Sequence, residues 1–158
     1  MNYFTVVGVN VIVRPPFISK IKVPYVIISI VSPEFEDFKI PHNSLCKDIL
    51  NLRFHDVDSE GNVIGAFNEV GKIKPISESD IKSIYKFVEK NKNVCDWIIH
   101  CEAGMSRSAG VAVALSQILN EENNPEKYIQ SIYPLSMHNV DIKSKILNYG
   151  DVYEQTKY

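Results

Sequence analysis

The segment YVIISIV, residues 25–31, constrains the fold most strongly, because it is short, rich in β-branched residues and almost continuously apolar. A strand of this kind is buried on both faces, which is typical of a parallel sheet covered by helices. The segments TVVGVNVIV at 5–13, ILNLRF at 49–54 and VCDWIIH at 94–100 also have strand character. These four segments are the candidate strands, and two of them lie in the first third of the chain.

The spacing of apolar residues becomes helical in the second half of the chain. Ser77 stands three residues before Asp80 at the start of one such segment, an arrangement that predicts an N-terminal capping box. Helices are predicted at 77–91, 107–119, 124–133 and 139–155. The alternation of strand and helix predicts an α/β fold: one domain over residues 1–158, with a central, mostly parallel sheet of four to five strands flanked by helices.

Composition and charge limit the classes of partner. The chain has 45% hydrophobic and 23% charged residues, a net charge of -2 and a pI near 6.1, so its overall charge gives no reason to bind nucleic acid or an anionic membrane. Its three cysteines follow no disulfide or metal-binding spacing, which favours a reducing compartment. No segment has the pattern of a signal peptide or a membrane span. We expect a cytoplasmic monomer.

The stretch WIIHCEAGMSRSAG, residues 97–110, runs from a predicted strand through a turn of about six residues into a predicted helix. Ligands of open α/β sheets bind at this carboxyl edge. A turn between strand and helix directs backbone N–H groups inward, and the helix adds the positive end of its dipole. The stretch therefore predicts an anion-binding loop.

The residue types in this loop indicate phosphate chemistry. Cys101 lies where the amides, the helix dipole and Arg107 all favour the thiolate, which makes it a candidate nucleophile. Arg107 can close the loop around a tetrahedral anion with a two-pronged hydrogen bond. Gly104 permits a tight turn, and the Ser108 hydroxyl can assist the sulfur as a leaving group.

The residues His100 to Ser108, HCEAGMSRS, resemble the H-C-x5-R-[S/T] signature of cysteine-dependent protein phosphatases, and most closely the dual-specificity branch. The resemblance implies the phosphatase fold and hydrolysis of phosphotyrosine, with phosphoserine and phosphothreonine as further substrates, through a cysteinyl-phosphate intermediate and without a cofactor. Cys101, Arg107 and Ser108 would be catalytic. The phosphate would be bound by the loop residues Glu102, Ala103, Gly104, Met105, Ser106 and Arg107.

The resemblance also implies an aspartic acid that protonates the leaving oxygen, from a loop after the strand that precedes the long helix. In LRFHDVDSEG, Asp56 is the first choice and Asp58 the second. The W-P-D form of the family is absent there. The segment 57–76 contains glycines without a sustained period, which predicts a long surface loop.

Other polar residues have structural and functional interpretations. We expect His100 to orient the cysteine loop rather than to act as a base, and His55 to be a surface loop residue. The HDVD segment lacks the further ligands that a metal site needs. Asn139 either caps the last helix or supports the phosphate loop, as a polar residue there does in similar enzymes.

Cys46 and Cys95 are expected to be small buried residues. The alternative is that one of them traps oxidised Cys101 as a reversible disulfide.

Two further functions stay open beside an active protein phosphatase. One is a catalytically weak or inactive phosphate-binding regulator. The other is a sulfur-transfer enzyme with a rhodanese-type loop, although the His-Cys opening and the Arg-Ser ending fit phosphoryl chemistry better.

Overall fold

The computed structural model of the protein describes residues 1–58, 60–64 and 73–155. Its strands are β1 (Tyr3–Gly8), β2 (Tyr25–Val31), β3 (Cys46–Arg53) and β4 (Asp96–Cys101). Its helices are α1 (Val9–Ile12), α2 (Pro15–Ser19), α3 (Glu78–Lys90), α4 (Arg107–Asn120), α5 (Pro125–Ile132) and α6 (Val140–Gln155). The predicted elements after residue 20 are all present, with ends that differ from the predictions by three residues or fewer.

The strands form one four-stranded sheet in the order β1-β4-β2-β3, and every pair in it is parallel. All seven residues of β2 are buried, as the apolar pattern of this segment predicts. Because parallel strands point the same way, the ends of β2, β3 and β4 lie at one edge of the sheet. The predicted α/β class with a mostly parallel sheet is confirmed.

Alternate residues of β2 pack into two separate hydrophobic clusters. Val26, Ile28 and Ile30 belong to the larger cluster, which also contains buried residues of α3, α4, α5 and α6. Tyr25 and Ile27 belong to the smaller one, which contains residues of α1 and α2. Burial of both faces explains why the strand has an apolar residue at almost every position.

The prediction of a strand over residues 5–13 is wrong at both ends. The strand begins at Tyr3 and ends at Gly8, and residues 9–12 form the short helix α1. Among the described residues, β1 is an edge strand that pairs with β4, and Gly8 is opposite Cys101, the last residue of β4. The strand ends there because its neighbour ends there, and Ile12 instead packs into the smaller cluster.

The predicted surface loop over 57–76 lies partly outside the described residues, which omit 59 and 65–72. In the described part, Val57 and Val63 form an isolated antiparallel bridge. Among the described residues, no helix is long and apolar enough to cross a membrane.

The start of α3 has the capping box that the sequence predicts. Ser77 Oγ accepts a hydrogen bond from the Asp80 N–H at 3.2 Å, and Asp80 Oδ2 accepts one from the Ser77 N–H at 2.8 Å. Both backbone N–H groups would otherwise lack an intrahelical partner. The box thereby fixes the point at which α3 begins.

We expect Ser77→Ala to lower the free energy of unfolding by about 1 kcal/mol, because the Asp80 N–H loses its acceptor. Urea unfolding of this variant and of Ser79→Ala, an exposed serine inside α3, measures the effect. An equal loss in both variants would show that the cap contributes nothing.

Candidate active site

A cavity of about 990 Å³ opens at the carboxyl edge of the sheet. Its lining includes seven of the predicted site residues: Asp56, Cys101, Glu102, Ala103, Met105, Ser106 and Arg107. The other two, Gly104 and Ser108, are not among the lining residues, but each contacts the Cys101 sulfur. The structure thus brings together all the residues predicted from the motif and from the loop after β3.

Cys101 is the last residue of β4, and only 2% of its surface is exposed. Its Sγ accepts a hydrogen bond from the Gly104 N–H at 3.2 Å, and the Ser108 Oγ lies 3.2 Å from it. Both groups can donate to a thiolate and so stabilise it. The sulfur therefore has the surroundings of a nucleophile.

Two close approaches determine the course of the phosphate loop, residues 101–107. Gly104 has a φ of 71°, and a Cβ there would lie 2.2 Å from the Gly8 N atom. A Cβ on Gly8 would lie 2.9 Å from the Ala103 carbonyl oxygen. The end of β1 and the loop therefore pack backbone against backbone, which only glycine allows at these two positions. The role of Gly8 has no signal in the motif itself.

Arg107 is 7% exposed and makes three hydrogen bonds to groups of the protein. Its Nη1 donates to Ser32 Oγ at 3.0 Å and to the Phe54 carbonyl oxygen at 2.9 Å, and its Nη2 donates to a Glu102 carboxylate oxygen. Its Nε has no partner among the described residues. A guanidinium has five N–H donors, so the Nε N–H and one Nη2 N–H are left for a ligand.

The Glu102 carboxylate has a role that the sequence interpretation missed. Besides the ion pair with Arg107, its Oε1 accepts hydrogen bonds from the Ser32 N–H at 3.1 Å and from Ser32 Oγ at 2.7 Å. These contacts link the phosphate loop to the end of β2. Glu102 stays a predicted phosphate-binding residue of the loop, and its side chain forms an ion pair with Arg107.

Asp56 follows β3 and points at the phosphate loop. Its Oδ1 accepts hydrogen bonds from Ser106 Oγ at 2.9 Å and from Asn139 Nδ2 at 2.7 Å. Because both donors bind the same oxygen, Oδ2 is the oxygen that can carry a proton toward a leaving group.

Asp58 lies in a different environment. Its Oδ1 accepts hydrogen bonds from the Glu60 and Asn62 backbone N–H groups at 2.9 and 2.8 Å. The bond from the Asn62 N–H is the main cause that lowers the pKa of the Asp58 carboxyl. A lowered pKa disfavours the protonated form that a general acid needs. Asp56 is also hydrogen-bonded to Ser106 in the phosphate loop, and these two observations favour Asp56 as the acid of the proposed reaction.

Comparisons with known proteins give matches at the level of structure alone. No protein-family model and no curated protein sequence matches the chain. The structure of human DUSP28 matches with a TM-score of 0.60 and 13% identity, over 97% of this chain and 94% of that one. DUSP15 matches with a TM-score of 0.56 and 18% identity, over 95% of this chain and 84% of that one.

A third match is human tyrosine phosphatase-like serine/threonine/tyrosine-interacting protein, with a TM-score of 0.57 and 20% identity over 88% of this chain and 83% of that one. The chain has a dual-specificity phosphatase-like fold. This confirms the fold implied by HCEAGMSRS. Because the sequence identities are only 13 to 20%, these matches show a shared fold and no more specific property.

In this phosphatase-like fold, Asn139 both caps a helix and supports the phosphate loop. Its Oδ1 accepts from the Ile142 N–H at 3.0 Å, at the start of α6. Its own N–H donates to the Ser106 carbonyl oxygen at 3.2 Å, and its Nδ2 also bonds the Val57 carbonyl oxygen. Both interpretations left open by the sequence therefore apply.

The two histidines next to the predicted catalytic residues are both buried. His100 donates or accepts a 2.7 Å hydrogen bond with Ser29 Oγ, which ties β4 to β2 directly before the cysteine. His55, predicted to be a surface residue, is only 5% exposed: its Nε2 bonds Glu34 Oε2 at 3.0 Å and its Nδ1 accepts from the Lys74 N–H at 2.8 Å. The surface prediction is wrong because the segment after β2 and the segment before α3 both contact this ring.

The other two cysteines lie at the opposite end of the sheet from Cys101. In the register of the sheet, Cys46 at the start of β3 lies opposite Tyr25 at the start of β2. Tyr25 in turn lies opposite Asp96, the first residue of β4, which directly follows Cys95. β4 runs on from there to Cys101, a distance of about 17 Å at the usual rise per residue. A disulfide requires Cα atoms within roughly 7 Å of each other.

A disulfide between Cys101 and either of these cysteines is therefore excluded in this fold. The expectation that both are buried is also wrong, because Cys46 is half-buried and Cys95 is exposed. Within the described ranges, no three His, Cys, Asp or Glu side chains are grouped so that they could hold a metal ion.

We expect Glu102→Gln to lower the free energy of unfolding by about 1–2 kcal/mol, because the buried charge of Arg107 loses its counter-ion. In a protein that already carries Arg107→Leu, Glu102→Gln should lower the free energy of unfolding much less, since the buried guanidinium charge is no longer present. Urea unfolding of the four proteins of this cycle measures the coupling. Equal costs in the two backgrounds would contradict the assigned ion pair.

The buried imidazole of His100 predicts a loss of stability in acid. Burial lowers its pKa from 6.5 to about 4, so between these pH values the unfolded chain binds a proton that the folded protein does not. The free energy of unfolding should therefore fall by up to about 3 kcal/mol as the pH decreases from 6.5 to 4. Burial also lowers the pKa of His138, which adds a change of the same sign.

Urea unfolding at a series of pH values, for wild-type protein and His100→Asn, isolates the contribution of His100. The variant should lose less stability over the same pH range. Parallel curves for the two proteins would show that His100 does not titrate with the predicted difference.

Proposed function

We propose that the protein is a protein phosphatase that hydrolyses phosphotyrosine, and also phosphoserine and phosphothreonine where the residue can reach the sulfur, through a phosphocysteine intermediate. The observation that carries this proposal is the arrangement around Cys101 Sγ: the Gly104 N–H and the Ser108 hydroxyl each lie 3.2 Å from it. Arg107 and Asp56 line the same cavity. A nucleophile, an anion-binding cation and a proton donor thus occupy one site.

In the first step, the Cys101 thiolate attacks phosphorus, the S–P bond forms and the P–O bond to the substrate breaks. The proton on Asp56 Oδ2 goes to the leaving oxygen, which departs as an alcohol or phenol. The two unoccupied N–H groups of Arg107 and the loop amides bind the phosphoryl oxygens, whose charge spreads in the transition state. Ser106 and Asn139 keep Asp56 oriented through Oδ1.

In the second step, Asp56 takes a proton from water, the water oxygen bonds to phosphorus and the S–P bond breaks. Cys101 leaves as a thiolate, and the Ser108 hydroxyl can donate a hydrogen bond to it as charge develops. Inorganic phosphate is released, and Asp56 is protonated again for the next turnover.

The alternative is a phosphate-binding regulator that turns over slowly or not at all. One of the structural matches is a tyrosine phosphatase-like interacting protein, and this match supports the alternative. Both functions use the anion site around Arg107. They differ in whether Cys101 attacks the bound phosphate.

We expect the wild-type protein to hydrolyse p-nitrophenyl phosphate and Cys101→Ser to lose at least about a thousandfold in kcat, because the nucleophile is gone. Vanadate, which mimics the five-coordinate phosphoryl transition state, should inhibit the wild-type protein. Binding of a phosphotyrosyl peptide should survive in Cys101→Ser. No turnover by the wild-type protein between pH 5 and 8, with retained peptide binding, would favour the regulator.

We expect Asp56→Asn to lower kcat for an alkyl or tyrosyl phosphate by about a hundredfold or more, because the leaving oxygen is no longer protonated. The loss should be larger than in Asp58→Asn. Asp151→Asn, an exposed carboxylate on α6, is the matched control. A larger loss in Asp58→Asn would assign the general acid to Asp58 instead.

A further inference from the structure

The cavity at Cys101 is much larger than a phosphate group alone would need, with a volume near the upper end of the range for ligand-binding pockets. Two sets of residues outside the phosphate loop line it. The first set comes from the segments after β2 and β3 and includes Glu34, Phe35, Asp58 and Ile64. The second set comes from α5 and residues 136–141. A substrate bound at Cys101 would therefore contact the protein beyond its phosphorylated side chain.

Both sets present exposed apolar side chains. Phe35 and Ile64 in the first set are about half exposed, and Met137 and Val140 in the second set are exposed by 76% and 60%. Met105, in the phosphate loop itself, is also exposed. Exposed apolar groups around a cavity are typical of a surface that binds another molecule.

The charges of the lining are mostly negative. Its described residues include one arginine, no lysine and the following six carboxylates: Glu34, Asp56, Asp58, Glu102, Glu126 and Asp141. Three of these carboxylates have a partner of opposite charge or a histidine partner. Glu126 is paired with Lys143 and Asp141 with Lys145, two lysines that lie outside the lining. Glu34 is paired with His55. With Asp56 protonated as the proposed general acid, the five other carboxylates still outnumber Arg107, Lys143 and Lys145, even when His55 is counted as a cation.

An excess of carboxylates around a site for a phosphate dianion disfavours substrates with additional negative charge close to the phosphate. It favours substrates whose other groups near the phosphate are cationic. The exposed apolar side chains favour neighbouring aliphatic or aromatic groups. A polypeptide offers both kinds of group beside a phosphorylated residue, whereas a polyphosphorylated lipid headgroup offers neither.

We propose that the cavity selects tyrosine-phosphorylated polypeptide segments in which lysine or arginine and apolar residues lie close to the phosphotyrosine. This inference rests on the proposed function, because it concerns the substrate of the same site. It assigns Asp58 and Glu126, one carboxylate from each set, as residues that determine specificity without taking part in the phosphoryl transfer.

The test uses three phosphotyrosyl peptides that differ only in the residues flanking an identical centre: arginine, alanine or glutamate. At low salt, kcat/KM for the arginine peptide should exceed that for the glutamate peptide by about tenfold, mainly through KM. The ratio should decrease at 0.5 M salt, because exposed charges are screened. Vesicles that contain a phosphoinositide should be poorer substrates than the arginine peptide.

The double variant Asp58→Asn, Glu126→Gln should reduce the ratio to about threefold or less. The matched control is Asp151→Asn with Glu121→Gln, which removes two carboxylates outside the lining and should leave the ratio unchanged. Both double variants keep the length of each side chain and remove two negative charges.

Hydrolysis of p-nitrophenyl phosphate separates this inference from the proposed function, because that substrate has no flanking residues. If p-nitrophenyl phosphate is turned over but kcat/KM for the arginine peptide does not exceed that for the glutamate peptide, the inference is overturned. The proposed phosphatase function would then still hold. If no substrate is turned over, the proposed function fails, and peptide affinities measured with Cys101→Ser still decide the preference. Tighter binding of the glutamate peptide, or preference for the phosphoinositide vesicles, would also overturn the inference.

Discussion

The buried guanidinium of Arg107 is the group on which the arrangement of the site depends. A charge so little exposed costs several kcal/mol unless it is neutralised and its donors are satisfied. The compensating groups come from three places in the chain: Ser32 after β2, the Phe54 carbonyl after β3 and Glu102 in the phosphate loop. Satisfying one buried charge therefore brings the ends of three neighbouring strands together.

Asp56, the general acid of the proposed reaction, is hydrogen-bonded to the loop that follows Cys101. Ser106, in the phosphate loop, donates to Asp56, and Asn139, before α6, donates to the same oxygen and also bonds the Ser106 carbonyl through its backbone. A displacement of any one of these three residues changes the surroundings of the other two. Catalytic geometry in such a site is a property of the three segments together rather than of the cysteine loop alone.

The sequence was sufficient to predict features that depend on local pattern. The apolar run of β2 follows from burial on both faces, and the course from β4 through the loop to α4 follows from residue types and spacing. The end of β1 could not be predicted, because it is determined by where β4 ends, about ninety residues later in the chain.

The sequence analysis also missed contacts in the site that depend on residues far away in the chain. The burial of His55 depends on Glu34 and Lys74, each about twenty residues away in the chain. The hydrogen bond from Arg107 Nη1 goes to Ser32, which is 75 residues away. Motif spacing identifies groups within one loop. It contains no information about which distant side chain completes a hydrogen bond.

The separation of the cysteines has a consequence for how the protein responds to oxidants. A thiolate exposed to peroxide is converted to a sulfenic acid, and a neighbouring thiol is what usually captures that species before further oxidation. In this chain Cys46 and Cys95 lie a full strand length from Cys101. An oxidised Cys101 could return to its reduced state only through a thiol from another molecule, so the concentration of small thiols around the protein would determine whether the damage is reversible.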